Sequence, residues 1–150
     1  RHYRSACEAI ESSGGNVLAS RLNLGVCCLH LRLFGEARDC FEQSERSWKA
    51  LGIRWLKGMG AAHLLLIEAA ESRWEVWDDQ CDKVQAGLVD LTHVQSHFAT
   101  ILTVAGEQAI LAGEMDRATR AAGLADVLWR RLDATPDPDE VRRLLSALVA

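Results

Sequence analysis

Apolar and small side chains recur three and four positions apart along most of the chain. From Leu22 to Leu51 this spacing is interrupted once, at Leu33-Phe34-Gly35. Residues three and four apart share one face of a helix, so the pattern predicts two amphipathic helices. The interruption predicts a short turn, and we expect the two helices to fold back on each other as an antiparallel helical hairpin.

The same periodicity continues along the chain. It predicts helices over about residues 54–70, from Trp74 through Val84, from about Leu91 to Ala112, and from Glu114 to about Leu132. Residues 1–11 resemble the second helix of an earlier hairpin, which residues 12–16 would end.

A final helix is predicted from Asp139 to about Val149. Asp137 is the expected N-cap, Pro138 stands at the first helical position, and acids follow in the first turn. No segment alternates apolar and polar residues with β-branched enrichment, so no strand is predicted. The predicted fold class is therefore all-α.

Part of the pattern repeats. When the first hairpin is moved along the chain until Gly25 falls on Gly106, three further pairs of identical residues align: Ala37 with Ala118, Trp48 with Trp129, and Leu51 with Leu132. We expect the small residues of these pairs where helices touch, and the tryptophans as packing residues at hairpin junctions.

About half that shift places Trp74 at the position of Phe34. Three units are therefore predicted, over residues 16–52, 53–90 and 91–133. We expect residues 1–15 to be the end of a truncated unit, residues 137–149 to be a C-terminal capping helix, and the chain to be a piece of a longer protein.

The first hairpin resembles the tetratricopeptide repeat (TPR) family. That family has a Leu-Gly pair in the first helix, an aromatic residue before the second, and then an alanine, an aromatic and a small residue. The matching residues here are Leu24-Gly25, Phe34, Ala37, Phe41 and Ser44. The period of about 40 residues is longer than that of the common TPR and similar to that of the long bacterial variants.

The resemblance implies a right-handed α-solenoid of stacked antiparallel helical hairpins, which is stabilised by stacking. It also implies a non-catalytic protein–protein interaction scaffold or sensor module. Such a module would belong to a larger bacterial regulatory or signalling protein, for example one linked to a Ser/Thr kinase or an NTPase.

When this sequence is aligned with the TPR pattern, the resemblance implies a concave groove that is lined by the first helix of each unit. The residues expected to face a partner there are Leu22, Asn23, Val26, Leu29, His30, Ala62, His63, Leu66, Thr103, Glu107 and Ile110. Most of them are apolar, so the expected partner is a protein or peptide that offers an amphipathic helix or an apolar segment. The groove lacks the lysines and arginines that would hold a terminal carboxylate.

Two alternatives remain for this groove. A neighbouring domain of the longer protein would cover it, or a second copy of the chain would fill it. In the second case the chain is a self-association module that forms a homodimer.

Composition and charge exclude some classes of partner. The formal net charge is −4, and the basic residues are interleaved with acids, so the clustered positive charge that nucleic acids or anionic lipids require is missing. The longest apolar run is interrupted by His63 and Glu68 and is too short to span a membrane. Five cysteines without C-x-x-C spacing indicate reduced thiols, and Cys28, Cys40 and Cys81 fall on predicted apolar faces. We therefore expect a cytoplasmic protein without nucleic-acid or membrane partners.

Few residues offer chemistry of their own. His93 and His97 are four apart on a predicted helix, a spacing that lets two imidazoles share a metal, but no third ligand is near in sequence. The acids around Asp78 follow the helix period away from the apolar stripe, as a solvated face does. The sequence contains no G-x-S-x-G, P-loop, G-x-G-x-x-G or H-E-x-x-H motif. No catalytic, cofactor or metal site is predicted, and a small-ligand or metal-binding domain around His63, His93 and His97 is the least favoured alternative.

Overall fold

The computed structural model of the chain describes Ser5, residues 17–53 and residues 57–149, with the backbone alone for residues 17–19. These residues form seven helices and no strand, so the predicted all-α class is confirmed for them. The helices are α1 (Val17–His30), α2 (Phe34–Ala50), α3 (Met59–Ala70), α4 (Trp74–Val89), α5 (Ser96–Leu111), α6 (Met115–Leu132) and α7 (Pro138–Leu148). The helix and turn predicted over residues 1–16 lie outside the described residues, apart from Ser5, and so do Cys7 and Trp55.

The first six helices form three pairs, each joined by a short turn. In each pair, α1 with α2, α3 with α4, and α5 with α6, the second helix packs back against the first. Each turn contains a residue with positive φ; these are Arg32 at 59°, Ser72 at 56° and Gly113 at 77°. The three positions recur with the period that the sequence shows.

Hydrogen bonds close the three turns in the same way. The backbone N–H of the residue that precedes the second helix donates to the carbonyl five positions earlier, from Leu33 to Cys28, from Arg73 to Glu68, and from Glu114 to Ala109. This bond belongs to the Schellman motif, which satisfies carbonyls at a helix end. The second helices begin at Phe34, Trp74 and Met115, again with the same period.

Two helix starts differ from the prediction. Helix α3 begins at Met59 rather than near Arg54, because Gly58 adopts a left-handed conformation with φ of 87° and packs against the backbone of Val84. Helix α5 begins at Ser96 rather than at Leu91, which is buried in the non-helical segment before it. Burial of an apolar residue in a loop produces the same sequence signal as burial in a helix.

Small residues allow neighbouring helices to approach closely. A Cβ on Gly25 would lie 2.6 Å from Cε1 of Phe41, so the α1–α2 contact requires glycine there. A Cβ on Gly60 would lie 2.9 Å from the carbonyl oxygen of Phe41, which sets the approach of α3 to α2. The predicted role of Gly25 as a close-contact residue is confirmed.

The last helix, α7, starts as predicted. Asp137 is its N-cap and accepts a hydrogen bond from the backbone N–H of Asp139, and Pro138 is its first residue. Its main contacts are with α5, α1 and α3, so it lies across the first helices of the three pairs. Within the described part of the chain, no helix combines the length and apolarity needed to cross a membrane.

Candidate functional site

The face formed by α1, α3 and α5 is the surface that the alignment with the TPR pattern predicts as the concave groove. Helix α7 covers it and inserts Leu144 and Leu148, both of which are buried. At its C-terminal end α7 is held by Arg32, whose Nη1 donates to the carbonyl oxygen of Ala147 at 3.0 Å. The chain therefore fills its own predicted groove with an amphipathic helix.

A histidine pair lies beneath α7. Nδ1 of His63 is 2.7 Å from the carbonyl oxygen of Met59, and its Nε2 is 3.1 Å from Nε2 of His97. A carbonyl only accepts, so Nδ1 of His63 carries the proton, and its Nε2 accepts from His97. On its other side the His63 ring stacks on Phe41, with ring centroids 4.6 Å apart.

Burial keeps both imidazoles neutral. It lowers the pKa of His63 to about 3, with a further contribution from His97 and an opposing one from the hydrogen bond to Met59. Burial also lowers the pKa of His97, where Glu140 opposes the shift and His30 adds to it. Because the charged form is costly in an apolar interior, the pair acts as a hydrogen-bonded unit of two neutral rings at pH 7.

A cavity of about 250 Å³ remains between the histidine pair and α7. Val26, Leu29 and Ile101 form its apolar side. Its polar side is formed by His30, His63, His97, Asp137, Glu140 and Arg143. No group of three or more His, Cys, Asp or Glu side chains in the described ranges is arranged to hold a metal ion.

A second opening lies between α5 and α6, and we call it the end slot. Its volume is about 460 Å³. It is lined by Thr103, Gly106, Glu107, Ile110, Ala118, Ala122, Ala125, Asp126, Trp129, Arg130, Asp133, Ala134, Thr135 and Pro136. Most of the wall is apolar or small, and the charged side chains stand at the rim.

The predicted groove residues are divided among three environments. Leu29, Ala62, His63 and Leu66 are fully buried. Val26 and His30 border the cavity under α7, Leu22 is half-buried and Asn23 is exposed. Thr103, Glu107 and Ile110 line the end slot instead. The prediction that Ala62, His63 and Leu66 present free side chains to a partner is wrong for this structure, because α3 is buried between α2, α4 and α5.

The predicted placement of His93 and His97 on one helix is also wrong. His93 precedes α5 and is exposed, so the two are not on successive turns of one helix. The imidazole that meets His97 comes from α3, 34 residues earlier. The sequence contained a signal for this contact only in the apolar surroundings of His63, which indicate burial.

Three of the acids on α4, Glu75, Asp79 and Asp82, are exposed as predicted, and two acids of this face also form ion pairs with α6. Asp78 accepts two hydrogen bonds from the guanidinium of Arg117, at 2.9 and 2.7 Å, which lowers the pKa of Asp78. Asp82 accepts from Arg120. These pairs connect α4 to α6, so Asp78 and Asp82 contribute to the packing of two helices.

The remaining predictions concern packing residues. Cys28, Cys40 and Cys81 are buried as predicted, and neither these thiols nor that of the exposed Cys27 forms a disulfide with another described residue. Trp48 and Trp129 are buried as well, and Nε1 of Trp129 donates to Thr103 at 3.0 Å.

Comparison of the chain with protein-family models, with curated proteins and with solved structures found no match in any of the three.

Proposed function

We propose that the chain is a non-catalytic protein–protein interaction module of a larger bacterial regulatory protein, and that its three hairpins stack as a TPR-like right-handed solenoid. The surface formed by α1, α3 and α5 holds an amphipathic helix. In the state described here, α7 of the same chain occupies that surface, and a partner helix of similar chemistry replaces it.

The presence of α7 on this surface carries the proposal. Its buried residues, Leu144 and Leu148, are four apart and occupy one stripe of the helix, while Arg142, Arg143 and Ser146 are exposed. Helix-in-groove recognition uses this spacing of anchors. The surface thus has the shape and apolar character to accept a helix, whichever chain supplies it.

The experiment uses the full chain with α7 loosened from its surface. In the variant Leu144→Asp with Leu148→Asp, two charges would have to be buried, so α7 should leave the surface. The probe is a fluorescein-labelled peptide of residues 134–149, followed by fluorescence anisotropy. We expect the variant to bind this peptide, whereas the wild-type chain binds it weakly because the tethered α7 competes at an effective concentration of about millimolar.

Two controls accompany this measurement. The variant Arg142→Asp with Ser146→Asp places two aspartates on the exposed side of α7 and should behave as the wild type. A peptide that itself contains Leu144→Asp and Leu148→Asp should not bind. If the loosened variant keeps its helical circular dichroism at pH 7.5 and still does not bind the unmodified peptide, the surface does not accept a helix and the proposal fails.

Self-association is the alternative function, and one feature favours it. A short segment, residues 133–137, connects α6 to α7, and a second copy could exchange its α7 through the same contacts. Sedimentation of the wild type at rising concentration tests this. A dimer that the Leu144→Asp, Leu148→Asp variant no longer forms would make exchange of α7 the better account.

A further inference from the structure

The three hairpins can be compared position by position, because α2, α4 and α6 begin at Phe34, Trp74 and Met115. The residues seven positions after these starts are Phe41, Cys81 and Ala122. Phe41 and Cys81 are fully buried, whereas Ala122 is exposed. The same backbone position is therefore covered in the first two hairpins and uncovered in the third.

In the first hairpin, helix α3 covers this position. The ring of Phe41 lies between Gly25 of α1 and the His63 ring of α3, so that α3 closes the outer side of the pair. The counterpart of Gly25 in the third hairpin is Gly106, its partner in the sequence repeat. A Cβ on Gly106 would have the backbone N of Ala122 as its nearest neighbour, at 3.6 Å, which is an ordinary contact distance. The third hairpin has no ring at the position of Phe41, and its Gly106 and Ala122 line the end slot.

The first and third hairpins also share a carboxylate at an equivalent position, Glu45 in α2 and Asp126 in α6. Glu45 of α2 caps the N-terminus of α3, since its Oε1 accepts from the backbone N–H of Gly60 at 2.7 Å. Glu45 and Asp126 occupy the same position, the eleventh after the starts of α2 and α6. Asp126 is exposed at the rim of the end slot and, among the residues that the structure describes, forms an ion pair with Arg130, one turn further along α6. A carboxylate at this rim is suited to the positive end of an incoming helix.

We propose that the end slot is a second docking surface, and that its occupant is a helix of a partner protein that packs on α5 and α6 as α3 packs on α2. The helix inserts one aromatic side chain into the end slot, against Gly106 and Ala122. Its first turn meets Asp126. This surface is separate from the one that α7 covers, and the proposal does not depend on the function proposed above.

The probe is derived from the helix that covers the equivalent position. It is a peptide of residues 57–73, acetylated and amidated, that contains α3 with His63→Trp, so that the indole fills the space left by the missing ring. The comparison peptide has His63→Ala. An aromatic anchor in a desolvated pocket contributes strongly to binding, so we expect the full wild-type chain to bind the tryptophan peptide about tenfold more tightly than the alanine peptide.

Variants of the protein test the location. Ala122→Phe places a ring in the slot from within, and should abolish binding of the tryptophan peptide while raising the thermal unfolding midpoint. Ala86→Phe makes the same change at an exposed alanine of α4 outside the slot and should leave binding unchanged. Asp126→Asn should weaken binding several-fold, because it removes the charge that favours the helix N-terminus.

Four results would overturn the proposal. One is equal affinity for the two peptides, and another is full binding by Ala122→Phe. The third is a wild-type dimer, detected by sedimentation, that Ala122→Phe dissociates, because a second copy would then cover the slot. A lowered unfolding midpoint for Ala122→Phe would likewise contradict an open space beside Ala122.

Discussion

The outer sides of α2 and α6 have equivalent backbone positions, but they differ in whether another helix covers them. On α2, Phe41 and Glu45 meet α3, one through its ring and the other as a cap. On α6, Ala122 and Asp126 stand at the same positions and border an open slot. The difference indicates that hairpin geometry is set by the turns and the inner faces of the helices. Since the small Cys81 is also buried at this position of the second hairpin, it is the presence or absence of a covering element that makes a hairpin side a core or a surface.

The largest expected effect is at the covered side. Phe41→Ala removes a fully buried ring between Gly25 and His63 and should lower the free energy of unfolding by about 3–5 kcal/mol. Ala122→Gly at the open side should cost about 1 kcal/mol or less, which is the helix propensity of glycine alone. Urea denaturation measures both. Similar losses for the two variants would remove the distinction between the sides.

The covered side should also respond to acid. The pKa of His63 is lowered to about 3 and that of His97 is lowered too, so the unfolded chain binds more protons than the folded one below about pH 6.5. Stability is therefore full above about pH 6.5 and decreases toward pH 4, by up to a few kcal/mol.

Burial raises the pKa of Glu45, which makes a contribution of opposite sign at acidic pH. The double variant His63→Phe with His97→Leu retains Glu45 and lacks both imidazoles. Its unfolding free energy, measured by urea denaturation from pH 7.5 to 4, should depend less on pH than that of the wild type. An unchanged pH profile would show that the histidines do not carry the effect.

The two matched glycines should respond with opposite signs. Gly25→Ala introduces a Cβ within 2.6 Å of the Phe41 ring and should destabilise the fold by about 1–3 kcal/mol. At Gly106 the nearest atom is 3.6 Å away, so Gly106→Ala should stabilise by about 0.5–1 kcal/mol through helix propensity. Thermal unfolding of both variants checks the signs. Destabilisation by Gly106→Ala would mean that the open side is as tightly packed as the covered side.

The smallest expected difference concerns the two carboxylates. Glu45→Ala leaves the backbone N–H of the buried Gly60 without its acceptor and should cost about 1–2 kcal/mol. Asp126→Ala removes an exposed pair with Arg130 and should cost about 0.5 kcal/mol or less. Denaturation at low and at high salt separates them, because only the exposed pair is screened. Equal losses would contradict the assignment of Glu45 as a cap.

The sequence predicted most of the helices because their periodicity is local. The start of α4 at Trp74, the N-cap at Asp137 and the burial of Trp48 and Trp129 followed from spacing and from residue types with strong preferences. The turn predicted at Leu33-Phe34-Gly35 lies slightly earlier, at residues 31–33, since Phe34 already begins α2. The start of α5 was placed too early because Leu91 is buried without being helical. The candidate site was predicted less well. The alignment with the TPR pattern identified α1, α3 and α5 as the helices that form the surface covered by α7. It could not show that His63 and Leu66 are enclosed on all sides.

The sequence by itself thus determined an all-helical chain whose turns recur with a nearly constant period, because helix periodicity and turn geometry depend on neighbours in sequence. Only the tertiary structure decided where α7 lies. The sequence of an amphipathic helix shows that one of its sides must be buried, but it does not show which surface buries that side. The tertiary structure also decided that His63 meets His97 and that Ala122 remains uncovered. Both depend on contacts between residues that are far apart in the chain, and no local pattern contains them.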